Sequence, residues 1–216
     1  MSTKTAIIVS ALLIIVITLA GLLLWNSFPD QMASHWNEQD QVDGYMSKFW
    51  GVFMVPLLMA GLTLLFLAIP HIDPLKKNIA DFRGVFNIFI VLFNVFMAFI
   101  HALTLAWNLG HTGFRMGVVM LPAMGLLFIF IGLLIRKAKR NFFIGIRTPW
   151  TLSSDRVWDE THRLGSKLFI AAGVITFIGI LFPDQAFILL MVSVIAASLI
   201  SVLYSYLVWR REATGE

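Results

Sequence analysis

The strongest constraint on this chain is a series of long apolar runs with almost no charge inside them. We read six, at Thr5–Trp25, Phe49–Pro70, Val85–Leu109, Gly117–Ile135, Leu168–Phe182 and Ala186–Trp209. A bilayer's hydrocarbon core takes about 20 helical residues to cross, and all but the fifth run come close to that length. Inside hydrocarbon the backbone has to satisfy its own N–H and C=O groups, which leaves helices and closed barrels as the spanning structures. A barrel is built from short segments of alternating polarity, whereas these runs are continuous. The reading is all-α: a polytopic transmembrane bundle of six helices. Composition agrees, because 13% of residues are charged against about 25% in soluble domains. Cysteine is absent, which excludes disulfides and thiolate chemistry.

The first run is read as a span and not as a signal peptide. It exceeds a typical signal h-region, and Trp25, Asn26 and Phe28 follow it in place of a small-residue cleavage site. With both termini on one side, that side collects fourteen of the sixteen Lys and Arg residues, and the other keeps only Lys48 and Arg115. The positive-inside rule then places both termini in the cytoplasm of a multi-pass protein of the cell membrane. On this reading the net charge of +4 sets orientation. The partner it implies is the lipid bilayer, with no direct nucleic-acid contact.

Two units are expected in one compact bundle: residues 1–84, with two spans and an acidic outer loop, and residues 85–216, with four spans. The outer loop, Asn26–Ser47, holds Asp30, Glu38, Asp40 and Asp43 and no base before Lys48. Asp43-Gly44 signals a turn, and Trp36 and Tyr45 suit the headgroup zone. Two readings fit, a solvated linker or a folded cap that meets an extracellular ligand. His71 and Asp73 in the first inner loop are too few for a metal site, and interfacial polarity explains them.

Span three carries Asn87, Asn94, His101 and Asn108, seven residues apart. Seven residues fall about 20° short of two turns, so the four share a face over about 32 Å. Polar groups at that depth face a bundle interior or an aqueous cavity. Either they are interhelical hydrogen-bonding residues, each contact worth about 0.6 kcal/mol, or they line a path for a ligand or protons. In the second case His101 is the only group of the four titrating near neutrality. Ser193, Ala197, Ser201 and Ser205 make a small-residue stripe on span six that permits close helix approach, and the seam of span three is its expected partner. Pro56 and Pro122 are expected to kink spans two and four.

The most distinctive stretch is Asn141–Lys167, which gathers Arg147, Arg156, Arg163, His162, Trp150 and Trp158 around Gly145 and Pro149. Pro149 biases Thr148 away from helix, so Asn141–Thr151 is expected to be extended or looped. Ser153 or Ser154 is a plausible N-cap, with Asp155 in the first turn. The helix that follows sets Trp158 and His162 four apart on one face, and Val157, Thr161, Leu164 and Leu168 form an apolar stripe. An amphipathic interfacial helix leading into span five is the result. Three arginines with two tryptophans suit lipid phosphate, a carboxylate or an acidic protein surface.

Gly145-Ile146-Arg147-Thr148-Pro149-Trp150-Thr151-Leu152-Ser153, with Val157-Trp158 and Thr161-His162-Arg163, closely resembles the signature of the SdpI immunity-protein family. The outer loop resembles the small domain of unknown function that often precedes it, at Pro29, His35-Trp36-Asn37, Asp43-Gly44, Ser47-Lys48 and Ile72-Asp73-Pro74. Gln41-Val42 departs from that pattern, in which Gly and often Pro are expected. The resemblance implies an integral membrane immunity protein that confers resistance to a secreted peptide toxin. It also implies signalling, by holding an ArsR-type repressor at the membrane.

The binding residues it implies are Asn141, Gly145, Arg147, Thr148, Pro149, Trp150, Trp158, His162 and Arg163 on the inner side, and His35, Trp36, Asn37, Asp43 and Lys48 on the outer. No cofactor, metal or catalytic residue is expected. Two alternatives stay open: a small transporter or lipid-handling protein using the seam, and a metalloenzyme using His35 with Asp43, or Asp155, Asp159 and His162. Against the latter, Arg156 and Arg163 lie beside those acids, and no nucleophile motif is visible.

Overall fold

The computed structural model describes residues 1–215, and among them six helices are long and apolar enough to cross a membrane. The order is α1 (Thr3–Leu23), β1 (Gln31–Trp36), β2 (Val42–Ser47), α2 (Lys48–Ile72), α3 (Lys76–Asn108), α4 (Met116–Lys137), α5 (Pro149–Ser153), α6 (Asp155–Ile178) and α7 (Ala186–Thr214). Helices α1, α2 and α3 pack on one another, as do α4, α6 and α7, and α3 against α4 joins the two groups. The chain start, the α2–α3 turn, the α4–α6 connection and the end of α7 meet on one face, the terminal face. The hairpin β1–β2, the α3–α4 loop and the α6–α7 loop meet on the other, the hairpin face.

Span three is longer than its apolar run, because α3 begins nine residues earlier, at Lys76. Span five is extended in the same direction. The interfacial helix and the membrane span are one continuous helix, α6, capped by the Ser154 hydroxyl, which accepts from the Val157 N–H. Nothing between Asp155 and Lys167 breaks it. Gly165, the weakest helix former there, is where Ile146 and Ser201 come close. The connection from α4 is looped only as far as Arg147. Thr148 and Thr151 then form a capping box, and Pro149 takes the first position of α5, where its missing N–H costs nothing. Helices α2 and α4 run on through Pro56 and Pro122.

The polar seam is used for packing within the first helix group. Asn87 donates to the Met1 carbonyl and to Thr3 Oγ1, each at 3.1 Å. Asn94, fully buried, bonds Thr63 of α2 at 2.9 Å and Ser10 of α1 at 3.3 Å. Asn108 donates to the Ala33 carbonyl at 3.0 Å and accepts from the Ala33 N–H at 2.8 Å. His101 is fully buried near Val52, yet neither ring nitrogen meets a partner in hydrogen-bonding geometry.

The stripe on α7 was expected against this seam, and the structure corrects that. α7 packs on α6, where Ser201 lies beside Gly165 and the Ser205 hydroxyl meets that of Thr148 at 3.1 Å. The seam needed polar partners, which Ser10 and Thr63 supply. A small-residue stripe needs another small surface, which Gly165 supplies.

The closest helix pair had no counterpart in the sequence reading. A Cβ on Gly173 would sit 2.6 Å from the Gly125 carbonyl oxygen, and one on Gly125 would sit 2.9 Å from that of Gly173. A Cβ on Gly132 would sit 2.7 Å from the Ser166 carbonyl oxygen. Backbones of α4 and α6 therefore touch along two turns, the geometry that small residues permit in membranes. Gly173→Leu is expected to destabilise the bundle by more than about 3 kcal/mol through overpacking. Asn94→Leu should cost about 1–2 kcal/mol for its lost bonds. Titration of both variants from mild detergent into denaturing detergent checks that order.

Candidate functional site

Past α4 the chain is folded by one side chain. Asn141 is fully buried; its Oδ1 accepts from the Phe143 and Ile144 N–H groups at 2.9 and 2.6 Å. Its Nδ2 donates to the Lys139 and Ile144 carbonyls, both at 2.8 Å. The next residue but three, Gly145, has φ +120, and a Cβ there would collide with the His162 ring. Glycine alone fits.

The Ile146 N–H then donates to His162 Nε2 at 2.9 Å, while His162 Nδ1 meets the Trp158 carbonyl at 2.8 Å. A carbonyl only accepts and a backbone N–H only donates, so the imidazole is the neutral Nδ1–H tautomer. His162 stacks on Trp158 at 4.0 Å between ring centroids, and Trp158 Nε1 donates to the Ala138 carbonyl at 2.8 Å. Trp158 and His162, read as one face of a helix, are thus the floor of a rigid loop.

Asp73 is a second fastener, which the sequence reading passed over as interfacial polarity. It is buried, and its two oxygens accept from the Leu75 N–H at 2.6 Å and the Phe142 N–H at 2.8 Å. That ties the α2–α3 turn to the loop, and Asn78 donating to the Arg140 carbonyl at 2.8 Å does the same. The signal for Asp73 was in Ile72-Asp73-Pro74, a turn tripeptide. Its neighbour His71 is exposed.

The arginines divide. Arg140 donates through Nη1 to the Leu152 carbonyl at 2.9 Å and lies 2.7 Å from Asp155 as an ion pair, although its Nε–H is not aimed at the carboxylate. Arg156 pairs with Glu160 one turn on, and Arg147 donates to the Phe142 carbonyl at 2.7 Å. Arg136, Lys139 and Arg163 have no ion pair among the described residues, and they line a polar cavity of about 250 Å³ with Ala138, Asp159 and His162. Three cations against one carboxylate suit a phosphate or carboxylate group. Arg147 is not among the lining residues, so it and Arg163 do not share this pocket. Trp150 is turned to α7, 5.2 Å from Tyr206.

On the hairpin face the loop is a folded cap and not a linker, with β1 and β2 antiparallel and bulged near His35. Asn37 closes the turn by accepting the Gln39 and Gln41 N–H groups at 3.0 and 2.9 Å. His35 Nδ1 meets Asp43 at 2.5 Å, Trp36 sits edge-on to Trp107 of α3, and Lys48 pairs with Asp30 at 3.2 Å. Asp40 departs most from ordinary backbone, with φ +60. Its carboxylate takes the Gly117 N–H at the start of α4 and pairs with Arg115 at 2.8 Å, and Arg115 reaches Asp184 at 3.1 Å. The Asp40 and Asp184 hydrogen bonds push the Arg115 pKa further up.

Among the described residues no group of three His, Asp or Glu side chains could hold a metal ion. The proposed inner triad is separated by its bonds: His162 has both nitrogens occupied, and Asp155 faces Arg140.

Replacing Asn141 by Ala leaves the Phe143 and Ile144 N–H groups without acceptors, at a cost of about 2–4 kcal/mol. Opening of the loop should speed trypsin cleavage after Lys139, Arg140 and Arg147, with little change in the spans, as limited proteolysis of the reconstituted protein will read.

Residues 137–205 match the model of the SdpI/YfhL protein family, and residues 12–60 match a domain of unknown function, DUF1648. The chain is 27% identical over 200 residues to the protein named Immunity protein SdpI of Bacillus subtilis strain 168, covering 92% of this chain and 93% of that one. No solved structure matches. The first matched segment begins at the end of α4 and takes in the locked loop, α6 and most of α7; the second takes in the latter half of α1, the hairpin and the first half of α2. The chain is a multi-pass membrane protein that is similar to the SdpI/YfhL family over residues 137–205 and to DUF1648 over the segment ahead of it.

Proposed function

We propose that this chain is an immunity protein of the cell membrane that confers resistance to a secreted peptide toxin. The observation that carries the reading is the extent of the similarity. It runs over 92% of the chain and is not confined to residues 137–205, so the hairpin face comes along with the terminal face. On this reading the terminal face is cytoplasmic, in accord with its fourteen Lys and Arg residues. The hairpin faces outward and meets the toxin.

The locked loop fits a second, signalling role. Asn141, Gly145, Thr148, Pro149, Trp158 and His162 hold its shape, and the cavity of Arg136, Lys139 and Arg163 offers unpaired cations toward the cytoplasm. Such a surface suits acidic groups on a small ArsR-type repressor held at the membrane. Turnover of a substrate forms no part of this reading.

Two experiments test it. Deletion of the gene from its native host should sensitise cells to peptide toxins secreted by related strains, and the wild-type gene should restore resistance. Deletion cells that survive every such toxin as well as wild type would remove the immunity role. Because the chain lacks cysteine, single cysteines at Gln39 and Ser153 report orientation. An impermeant maleimide on intact cells should label the first and spare the second; labelling of both would overturn the topology.

A further inference from the structure

Under the hairpin lies a cavity of about 410 Å³ that the packing of the helices leaves open. Its wall is apolar and unusually rich in methionine, with Met116, Met120 and Met124 from α4, Met191 and Phe187 from α7, and Leu121 between them. Such a volume falls among small-ligand sites. Methionine side chains are flexible and polarisable, and they adapt to irregular apolar partners.

The roof of the cavity is polar and has a definite shape. Ser34 to Glu38, the end of β1 and the turn after it, line it together with Asp40. In a two-stranded sheet β1 has a neighbour on one edge only. Its other edge turns to α3, where Asn108 satisfies Ala33, and Ser34, His35 and Trp36 beyond Ala33 line the cavity. A free strand edge is the surface to which an extended peptide adds by backbone hydrogen bonds.

Charge completes the description. The hairpin face carries Asp30, Glu38, Asp40, Asp43 and Asp184 against Lys48 and Arg115 alone. Asp30 and Asp40 are paired with those two bases. Among the described residues Glu38, exposed at the cavity rim, meets no cation and only the amide of Gln39. A ligand suited to this mouth is cationic where it meets water and apolar where it enters.

We propose that the cavity under the hairpin binds the apolar side chains of a cationic amphipathic peptide, whose backbone lies along the free edge of β1. This deepens the immunity reading, and rests on it for the peptide's biological source. A lipid tail would match the apolar wall, but it has no use for a strand edge, and an anionic headgroup is repelled by the acidic rim. The Arg115 contacts with Asp40 and Asp184 hold the roof to the second helix group, and Asn108 holds it to α3 of the first, so the site is complete only when the hairpin is seated.

The test uses the full chain in phosphatidylcholine nanodiscs, with empty discs as the blank. The probes are an amphipathic peptide of leucine and lysine only and its counterpart of leucine and glutamate. The lysine peptide should bind about tenfold more tightly or better. Met124→Trp, which fills the cavity, and Glu38→Lys, which reverses the rim charge, should each weaken it about tenfold. Glu38 is exposed, so its variant keeps the test decisive if the tryptophan variant does not fold. Equal affinity for the two peptides, or unchanged affinity in either folded variant, overturns the proposal. So does a co-purified phospholipid held in the cavity that neither peptide displaces. Peptide binding without protection of cells would remove the immunity reading alone. Protection without peptide binding would remove the cavity proposal alone.

Discussion

Within hydrocarbon no water completes an unfinished hydrogen bond, and that single restriction shapes this molecule. It makes the six spans helical. It also bears on where their polar side chains go: Asn87, Asn94 and Asn108 each find a partner outside their own helix, while His101 is buried without one. Asn94 finds Ser10 and Thr63 and so brings α1 and α2 to α3. Asn108 finds the backbone of Ala33 and so seats the hairpin on the end of α3. Polar residues here are fasteners before they are anything else.

A second layer fastens the two helix groups to each other, and it lies at both membrane faces. On the terminal face Asp73 holds the Phe142 amide, joining the α2–α3 turn to the loop after α4. On the hairpin face Asp40 and Asp184 share Arg115. Between these, α3 and α4 supply the contact inside the bilayer, and the cavity under the hairpin is the part of that junction they leave unfilled.

Much of the fold was legible in the sequence because bilayer thickness is a strong filter. The spans, the N-cap at Ser154 and the pairing of Trp158 with His162 follow from run length, capping chemistry and helical period. What was not legible depends on partners distant in the chain. Gly125 and Gly173 look like any membrane glycines until each is seen to lie against the other's carbonyl oxygen, where a Cβ would not fit. The α7 stripe asked for a small surface, and nothing in its own residues said that Gly165 would provide it. A folded cap was one of two readings for the outer loop, and its two strands were not read at all, because the segment is short, polar and rich in Asp and Gln. Of the inner residues singled out, Asn141, Gly145, Thr148, Trp158 and His162 converge on one locked loop. Arg147 bonds the loop at the Phe142 carbonyl but does not line the polar cavity, Trp150 turns to α7, and Arg136 and Lys139, found only in three dimensions, stand beside Arg163 there.

Asn141 uses every donor and acceptor it owns on the backbone around it. No capacity is left on it for any visitor. In a mutational survey scored by activity it will nonetheless look like a contact residue, because the surface that does the touching takes its form from it. Loss of function at this position reports on architecture, and a map of the interface drawn from such losses would be centred one layer too deep.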